Sequence, residues 1–351
     1  MVAMAFDPNA AAERGAGIYG LPYTPDEARV VLLPVPWDAT TSYRAGTSKG
    51  PRAIFDASMQ VDLFDAEVGK AYERGIAMLP ESSELRAWNE EARAAAEEVI
   101  EAGGRVAGNA DLEKALARVN ELSERVNEVV HLETKRLLGQ GRIAAVVGGD
   151  HASPYGAIRA YAERFPGLGV LHVDAHADLR RAYEGFTFSH ASIMENVMRI
   201  DGVARIVQVG IRDFAEEEFD RIASSGGRVR TFFDVQLAAA RMKGALEDSF
   251  QQVASALPEA VYVSFDIDGL DPSLCPHTGT PVPGGLAFHE ASALLGAVVK
   301  SGRRIVGFDL NEVAPGPDDD DEWDANVGAR MLYKLIGWTL TSQRLIEPPR
   351  L

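Results

Sequence analysis

Three side chains of the kinds that bind metal ions alternate in the segment Asp174-Ala-His-Ala-Asp178. The segment follows the apolar run 169–173, which is typical of a buried strand, and side chains at i, i+2 and i+4 of a strand share a face. Asp174, His176 and Asp178 would therefore point the same way, about 7 Å apart in succession if the chain stays extended. Metal binding is the chemistry that this spacing favours. The alternative is a polar strand end that faces solvent.

Further candidate ligands come at or directly after the ends of other predicted strands. Ligands bind outside the carboxyl ends of the strands in open parallel sheets, so side chains from several strand ends can converge on one crevice. These candidates are His151, after the strand predicted over residues 143–147; Asp266 and Asp268, after 261–265; and Glu312, after 305–308.

The candidate metal ligands, without Glu312, comprise two imidazoles and four carboxylates. That set is too large for one tetrahedral zinc ion, and its high share of carboxylate favours a harder ion such as manganese. It suits two ions roughly 3.5 to 4 Å apart, each bound by one histidine, with carboxylates shared between them. Without cations, the clustered carboxylates would repel one another and raise their own pKa values. The sequence therefore predicts a two-metal site, and hydrolysis is the chemistry expected of it.

The composition is that of a globular protein, with 46% hydrophobic and 25% charged residues in a chain of 351. No run approaches the roughly 18 to 20 apolar residues needed to cross a bilayer. The formal net charge of −17 argues against nucleic acid or an anionic membrane as a partner. The single cysteine, Cys275, excludes an internal disulfide, and the first 20 residues lack the pattern of a signal peptide. We therefore expect a cytoplasmic location.

Apolar runs of strand length alternate with segments of helical periodicity from residue 143 onward. This alternation predicts a three-layer α/β/α fold with a mostly parallel central sheet. In the absence of an internal repeat or long linker, we expect a single catalytic domain over residues 1–351, with an N-terminal extension over 1–28. The predicted strands are 29–36, 143–147, 170–173, 206–209, 229–233, 261–265 and 305–308, and the predicted helices 51–59, 153–164, 191–198, 235–256, 288–301 and 326–339.

Two further helices are predicted over 84–102 and 111–138, in a stretch rich in Glu, Ala, Arg and Leu. Asp111 suits the N-cap of the second helix. We interpret residues 82–110 as a helical insertion that lies on the domain or meets a neighbouring subunit.

Several motifs together resemble those of the ureohydrolases, that is, arginase, agmatinase and relatives, and most of all agmatinase. The resemblance covers about residues 29–60 and 142–340. It implies a binuclear manganese centre, trimers or hexamers, and hydrolysis of a small cationic guanidino substrate to urea and an amine. The motifs are Gly148-Gly-Asp-His151, Asp174-Ala-His-Ala-Asp178, Ser264-Phe-Asp-Ile-Asp-Gly-Leu-Asp-Pro272, Gly279-Thr-Pro281 with Gly284-Gly-Leu286, and Thr41-Ser-Tyr-Arg-Ala-Gly-Thr47 with Gly50-Pro-Arg-Ala-Ile54.

The same resemblance implies a role for each ligand. One Mn2+ would be held by His151 and Asp178, the other by His176 and Asp268, and both would be bridged by Asp174 and Asp266, with Ni2+ or Co2+ as substitutes. Glu312 would grip the guanidinium, a planar cation suited to a bidentate carboxylate; the alternative is a strand-end carboxylate paired to an arginine.

Catalytic and substrate-binding roles are also implied around this centre. His190 matches a histidine that shuttles protons to the leaving amine, as an imidazole that titrates near neutrality can, and Asp178 is the other proton donor considered. Thr280 is expected to pack near Glu312 and order it. Arg180 and Arg181 follow Asp178 directly and would favour a substrate carboxylate. Agmatine is the preferred substrate candidate, and arginine and 4-guanidinobutyrate are the alternatives.

Other polar residues are interpreted without a catalytic role. His172 is expected to be a core histidine with its hydrogen bonds satisfied. Cys275 and His277 line either the entrance or an ordinary loop. The acidic run 318–322 is expected to be a solvated loop, and Gly148-Gly149 to allow a tight turn or a close backbone approach. Two other functional classes stay open: a single-zinc, deacetylase-like amide hydrolase and a noncatalytic metal-stabilised scaffold.

Overall fold

Eight strands form one sheet in which every neighbouring pair is parallel. The computed structural model describes residues 6–13, 15–318 and 321–349. The start of the predicted N-terminal extension, residues 1–5, and Asp319 and Asp320 of the acidic run lie outside the described residues. The strands are β1 Val30–Val35, β2 Ile76–Met78, β3 Ile143–Gly148, β4 Leu168–Val173, β5 Val203–Ile211, β6 Val229–Phe233, β7 Ala260–Asp266 and β8 Arg304–Asn311, and their spatial order is β2-β1-β3-β8-β7-β4-β5-β6.

Helices cover both faces of this sheet, as a buried parallel sheet requires. In β7, Val261, Val263 and Phe265 pack in a cluster with α8, α9 and α10, whereas Tyr262 packs on the opposite face with α4 and α5. The predicted three-layer α/β/α fold is therefore confirmed. The helices are α1 Gly50–Ala57, α2 Ser83–Glu101, α3 Ala110–Gly139, α4 Tyr155–Arg164, α5 Ile193–Val197, α6 Glu216–Ser224, α7 Asp234–Met242, α8 Leu246–Ala256, α9 Phe288–Lys300 and α10 Trp323–Ser342.

The predicted elements are present, with three differences. Helix α6 was not predicted. Strand β2 was not predicted, because three residues at the sheet edge carry too short a pattern to recognise. The helix predicted over 235–256 is two helices, since Gly244 adopts a φ of +68° that ends the first one. Within the described ranges, none of the helices is long and apolar enough to cross a membrane.

Helices α2 and α3 form a helical hairpin, residues 83–139, on the α4 face of the sheet. Leu85 and Ala92 of α2 pack with Leu122 and Val126 of α3 in a cluster that includes Val35 at the end of β1. The stretch predicted as an insertion thus lies on the domain, with its buried face toward the strand ends. The N-cap of α3 is not Asp111 as predicted, because the side chain of Asn109 accepts hydrogen bonds from the backbone amides of residues 111 and 112 at 3.2 and 3.3 Å.

The Gly148-Gly149 turn brings two strand ends into close contact. A Cβ at Gly149 would lie 2.0 Å from the Trp37 carbonyl oxygen, and one at Gly148 would lie 2.0 Å from Asn311 Oδ1. Only glycine fits there, so the expected close backbone approach is confirmed.

Candidate metal centre and active site

A row of polar side chains crosses five neighbouring strands just below their carboxyl ends. The strand register pairs Asp309 of β8 with Ser264 of β7, Ser264 with His172 of β4, His172 with Gln208 of β5, and Gln208 with Thr231 of β6. The Ser264 hydroxyl donates to Asp309 Oδ1 at 3.0 Å, and the Thr231 hydroxyl donates to Gln208 Oε1 at 2.7 Å. Hydrogen bonds join Ser264 to Asp309, and Gln208 to Thr231 and His172, which gives the candidate metal ligands above them a fixed base.

His172 supports the central carboxylate of the site. Gln208 Nε2 donates to the Ala177 carbonyl at 2.7 Å and lies 3.0 Å from His172 Nδ1, which is therefore an acceptor. The ring proton then lies on Nε2, 2.8 Å from Asp174 Oδ2. Burial lowers the pKa of His172, so its imidazole stays neutral. The prediction of a satisfied core histidine is confirmed, and the structure adds its contact with Asp174.

The first group of candidate ligands surrounds one nitrogen of His151. His151 Nδ1 lies 2.9 Å from Asp174 Oδ2, 3.4 Å from Asp178 Oδ2 and 3.3 Å from Asp266 Oδ2. Its other nitrogen, Nε2, lies 2.9 Å from the Ser264 hydroxyl, in the polar row. The row therefore orients the ring so that Nδ1 faces the carboxylates.

The second group lies on the other side of Asp174. His176 Nδ1 is 3.1 Å from Asp268 Oδ2 and 3.4 Å from Asp174 Oδ1. Asp174 thus turns one oxygen toward each histidine. Asp266, expected between the two groups, lies in the first with one oxygen, while its other oxygen accepts a hydrogen bond from the Asp268 amide at 2.8 Å.

The negative charge of these clustered carboxylates favours the binding of cations. Burial, together with the neighbouring Asp174, raises the pKa of Asp178 to about 7. Burial opposes protonation of His151, but its contacts with Asp174, Asp178 and Asp266 outweigh that effect and raise its pKa. Burial and the neighbouring carboxylates also raise the pKa of Asp266, so Asp178 and Asp266 favour protonation where cations could bind. Two groups within the described residues could each hold an ion, and they are His151, His172, Asp174 and Asp178, and Asp174, His176 and Asp268. With Asp266 added beside His151 and with His172 counted as a support of Asp174, two imidazoles and four carboxylates suit a pair of divalent ions.

Glu312 is held firmly at the end of β8. Its φ is +64°, its amide donates to the Gly149 carbonyl at 2.7 Å, and its Oε1 accepts from the His151 amide at 2.9 Å. Burial and the neighbouring Asp150 raise the pKa of Glu312. The second oxygen, Oε2, has no hydrogen-bond partner among the described residues, so the alternative of an arginine partner finds no support there.

The hydroxyl that orders Glu312 belongs to Thr278 and not to Thr280 as expected. Thr278 Oγ1 donates to the Glu312 carbonyl at 2.8 Å. Thr280 instead lines a cavity of about 160 Å³ that opens over the candidate metal centre. The two threonines are two residues apart in a loop, where no period predicts which side chain faces which way. The other residues that line this cavity are Ser42, His176, Asp178, Arg180, Tyr183, His190, Ala191, Asp213, Phe214 and Glu218.

His190 lies in the cavity wall with polar neighbours. Its Nδ1 is 3.3 Å from the Ser189 hydroxyl and 3.5 Å from the Thr40 hydroxyl. Burial, followed by the charge of His176, lowers the pKa of His190 to about 4. The expectation that it titrates near neutrality is therefore wrong for this structure. Its imidazole is therefore neutral at pH 7.

Arg180 reaches the cavity wall, but it already has partners. Its Nε lies 3.6 Å from Glu218 Oε2, and its guanidinium carbon lies 5.1 Å from the centre of the Tyr183 ring. Arg181 is exposed and is absent from the described lining of the cavity.

Neither Cys275 nor His277 lines the cavity wall described above. Cys275 is buried and its thiol lies 3.2 Å from the Ile267 carbonyl. His277 Nδ1 lies 2.9 Å from Asp324 Oδ2, and its Nε2 lies 3.7 Å from Asp321 at the end of the acidic run. These contacts agree with the alternative of an ordinary loop for both residues.

Two charged cavity residues were missed in the sequence. Asp213 follows β5, at the same edge of the sheet as the other carboxylates, so the strand-end rule could have found it. Glu218 lies on α6, and its two oxygens accept hydrogen bonds from the Leu179 and Ala215 amides at 2.9 and 2.8 Å. Its contact with the Leu179 amide joins segments 39 residues apart, which no local pattern indicates.

Comparisons with known proteins agree with this geometry. The model of the Arginase family matches residues 28–337. An N(1)-aminopropylagmatine ureohydrolase of Thermus thermophilus is 33% identical over 322 residues, 91% of this chain and 94% of that protein. An agmatinase of Bacillus anthracis is 28% identical over 323 residues, 89% and 93% of the respective chains. The solved structure of an agmatine ureohydrolase of Thermoplasma volcanium has the same fold, with a TM-score of 0.71, 24% identity and coverage of 94% and 96%.

Proposed function

Because the chain belongs to the arginase family and is a ureohydrolase of that family, we propose that it uses two manganese ions to hydrolyse agmatine to putrescine and urea. One observation carries the two-metal part of the proposal: Asp174 turns Oδ1 toward His176 and Oδ2 toward His151. A carboxylate placed between two ligand groups is suited to bridge two ions. The large share of carboxylate favours manganese over zinc.

Two divalent ions bound there would activate water as a nucleophile and stabilise the charge that develops on attack. The residues of the chain orient the substrate and move protons. Glu312 Oε2, which is buried without a hydrogen-bond partner among the described residues, can accept hydrogen bonds from a guanidinium. His190 and Asp178 both face the cavity and can pass a proton toward the leaving amine.

The charges at the cavity wall favour a cationic tail on the substrate. Arg180 and Glu218 offset one another at 3.6 Å, and Glu218 is buried while Arg180 is partly exposed. Asp213 is exposed, lines the same cavity, and has no ion-pair partner within the described ranges. The wall therefore carries one uncompensated negative charge, which attracts the ammonium group of agmatine and repels the carboxylate of arginine or 4-guanidinobutyrate.

A longer amine is the second candidate substrate. The relative that is 33% identical is named an N(1)-aminopropylagmatine ureohydrolase. That compound carries the same guanidino group and additional positive charge, so the same wall would attract it.

A substrate panel tests the proposal. Urea release is measured after loading with manganese and then with nickel, on agmatine, N(1)-aminopropylagmatine, arginine, 4-guanidinobutyrate and guanidine. We expect the highest kcat/KM on one of the two cationic amines with manganese. Highest activity on a guanidino acid would overturn the substrate assignment, and absence of urea release from every compound would overturn the activity.

Replacing Asp213 by asparagine should raise KM for agmatine about 2- to 5-fold, the effect of one partly exposed ion pair. KM for 4-guanidinobutyrate should stay the same or fall, because the repulsion is removed. Steady-state kinetics on both substrates, with bound metal quantified, measures this. Equal changes on both substrates, or loss of metal, would mean that Asp213 supports the neighbouring His176 and does not contact the tail.

A further inference from the structure

We propose that the α2–α3 hairpin holds both loops of the cavity wall in place, with Asn89 and Asn120 as the positioning residues. The β1 loop (residues 36–46) contributes Ser42 to the wall, and the β4 loop (residues 179–189) contributes Arg180 and Tyr183. The inference rests on the proposed function, since it concerns how the same cavity receives its substrate.

Asn89 fixes the start of the β1 loop. Its Oδ1 accepts a hydrogen bond from the Asp38 amide at 2.7 Å, and its Nδ2 donates to Asp38 Oδ1 at 2.9 Å. Asp38 Oδ2 in turn accepts from the Gly46 and Ser48 amides at 2.9 and 3.2 Å, which closes the loop at its other end. Asn89 and Asp38 are 7% and 3% exposed, so this pair is shielded from competing water.

The closed β1 loop reaches both the cavity and His190. Thr40 Oγ1 lies 3.5 Å from His190 Nδ1, and the neighbouring Ser42 lines the wall. A second side chain of α2 strengthens this arrangement, because Arg93 donates to the carbonyl and, at 3.1 Å, to the hydroxyl of Thr41. One helix face thus sets the position of the whole loop.

Asn120 of α3 fixes the β4 loop in a similar way. Its Oδ1 accepts from the Thr187 amide at 2.9 Å, and its Nδ2 donates to the Gly185 carbonyl at 3.3 Å. Phe186, between those two residues, is fully buried in a cluster with Val99 of α2 and Val119 of α3. Residues 185–187 therefore attach the β4 loop, which carries Arg180 and Tyr183 and leads to His190, to the hairpin.

The candidate metal ligands form no hydrogen bonds with Asn89 or Asn120. Most of them lie at or close to the strand ends, and His151 and Asp174 contact the polar row directly. Asp178, which directly precedes the β4 loop, is held by its own carbonyl, which accepts hydrogen bonds from the Met194 and Glu195 amides. Loss of an anchor should therefore loosen substrate binding and leave metal binding intact. Loops held by rigid helices keep the geometry that catalysis needs, and displacement of about 1 Å can lower a rate 100-fold.

The test compares Asn89→Ala and Asn120→Ala with the parent and with Asn127→Ala. Asn127 is a buried asparagine of the same hairpin whose side-chain nitrogen has no hydrogen-bond partner among the described residues, so it is the matched control. We expect each loop variant to raise KM for agmatine about 10-fold with a smaller change in kcat, with full metal content. Asn127→Ala should keep parental kinetics. Asn120→Asp, which retains the acceptor for the Thr187 amide, should restore part of the loss.

Amide hydrogen exchange tests the positions of the two loops independently of the urea-release assay. Amides of Gly46 and Ser48 should exchange faster in Asn89→Ala, and that of Thr187 faster in Asn120→Ala, with exchange in the central strands unchanged. Unchanged exchange at these amides would overturn the inference. So would activity lost in parallel with metal or with global stability, because the hairpin would then only stabilise the fold. If the parent protein released no urea, only the proposed function would be overturned. The hydrogen-exchange result would still test whether Asn89 and Asn120 hold the two loops.

Discussion

Replacement of Asp174 by asparagine is expected to lower urea release at least about 10³-fold, the scale on which loss of one essential catalytic group acts. Asp174 presents one oxygen to the His151 group and the other to the His176 group. Asparagine would retain one oxygen and replace the other with an amide NH2, which repels a cation. His172 also donates to Asp174 Oδ2, so the amide could not keep both that contact and the metal contacts.

Bound metal per chain and urea release at saturating manganese measure this effect together. We expect Asp174→Asn to lose at least one ion while its secondary structure is retained. Asp201→Asn, which alters an exposed carboxylate in the turn before β5, is the control and should behave as the parent. An Asp174→Asn enzyme with full activity and two ions would show that Asp174 does not bridge a metal pair.

The second large effect concerns Glu312. Glu312→Gln should lower kcat/KM for agmatine by about 30- to 5000-fold, which corresponds to the roughly 2–5 kcal/mol lost when one partner of a buried charge pair is removed. The variant should keep its metal, because Glu312 contacts the His151 backbone amide and not the ring. Its glutamine can still accept that hydrogen bond, so folding should be unaffected.

Steady-state kinetics on agmatine, measured together with metal content and thermal unfolding, distinguish a substrate-binding role of Glu312 from a metal-binding or structural role. Glu73→Gln changes an exposed carboxylate on another side of the chain and should leave kcat/KM unchanged. If Glu312→Gln retained parental kcat/KM, the guanidinium would have to be held by another group. If it lost metal, Glu312 would belong to the metal centre.

The sequence predicted the candidate ligand set because that set follows two local rules. Alternate residues of a strand share a face, and parallel strands end at one edge, so Asp174, His176 and Asp266 could be placed together from their positions alone. The division into two groups came from the family resemblance, and the distances around His151 and His176 agree with it. The tertiary structure was not needed to place these ligands, because side chains in strands repeat with a fixed period.

The local sequence rules did not predict the contacts and pKa values of residues in loops. Thr280 was expected beside Glu312, but Thr278 makes that contact, and His190 was expected to titrate near neutrality, but burial lowers its pKa to about 4. Neither outcome is encoded in spacing. A loop has no period, and the burial of a side chain depends on segments far away in the sequence.

By itself, the sequence determined the parallel sheet, the strand ends and the carboxylate-rich ligand set, because each depends on patterns within a few residues. Only the tertiary structure decided that α2 and α3 reach the site, through contacts such as Asn89 with Asp38, 51 residues apart, and Asn120 with Thr187, 67 residues apart. The structure likewise decided which charges face the cavity. Hydrogen bonds between distant segments and the balance of charge on a wall arise from packing, and no local pattern records them.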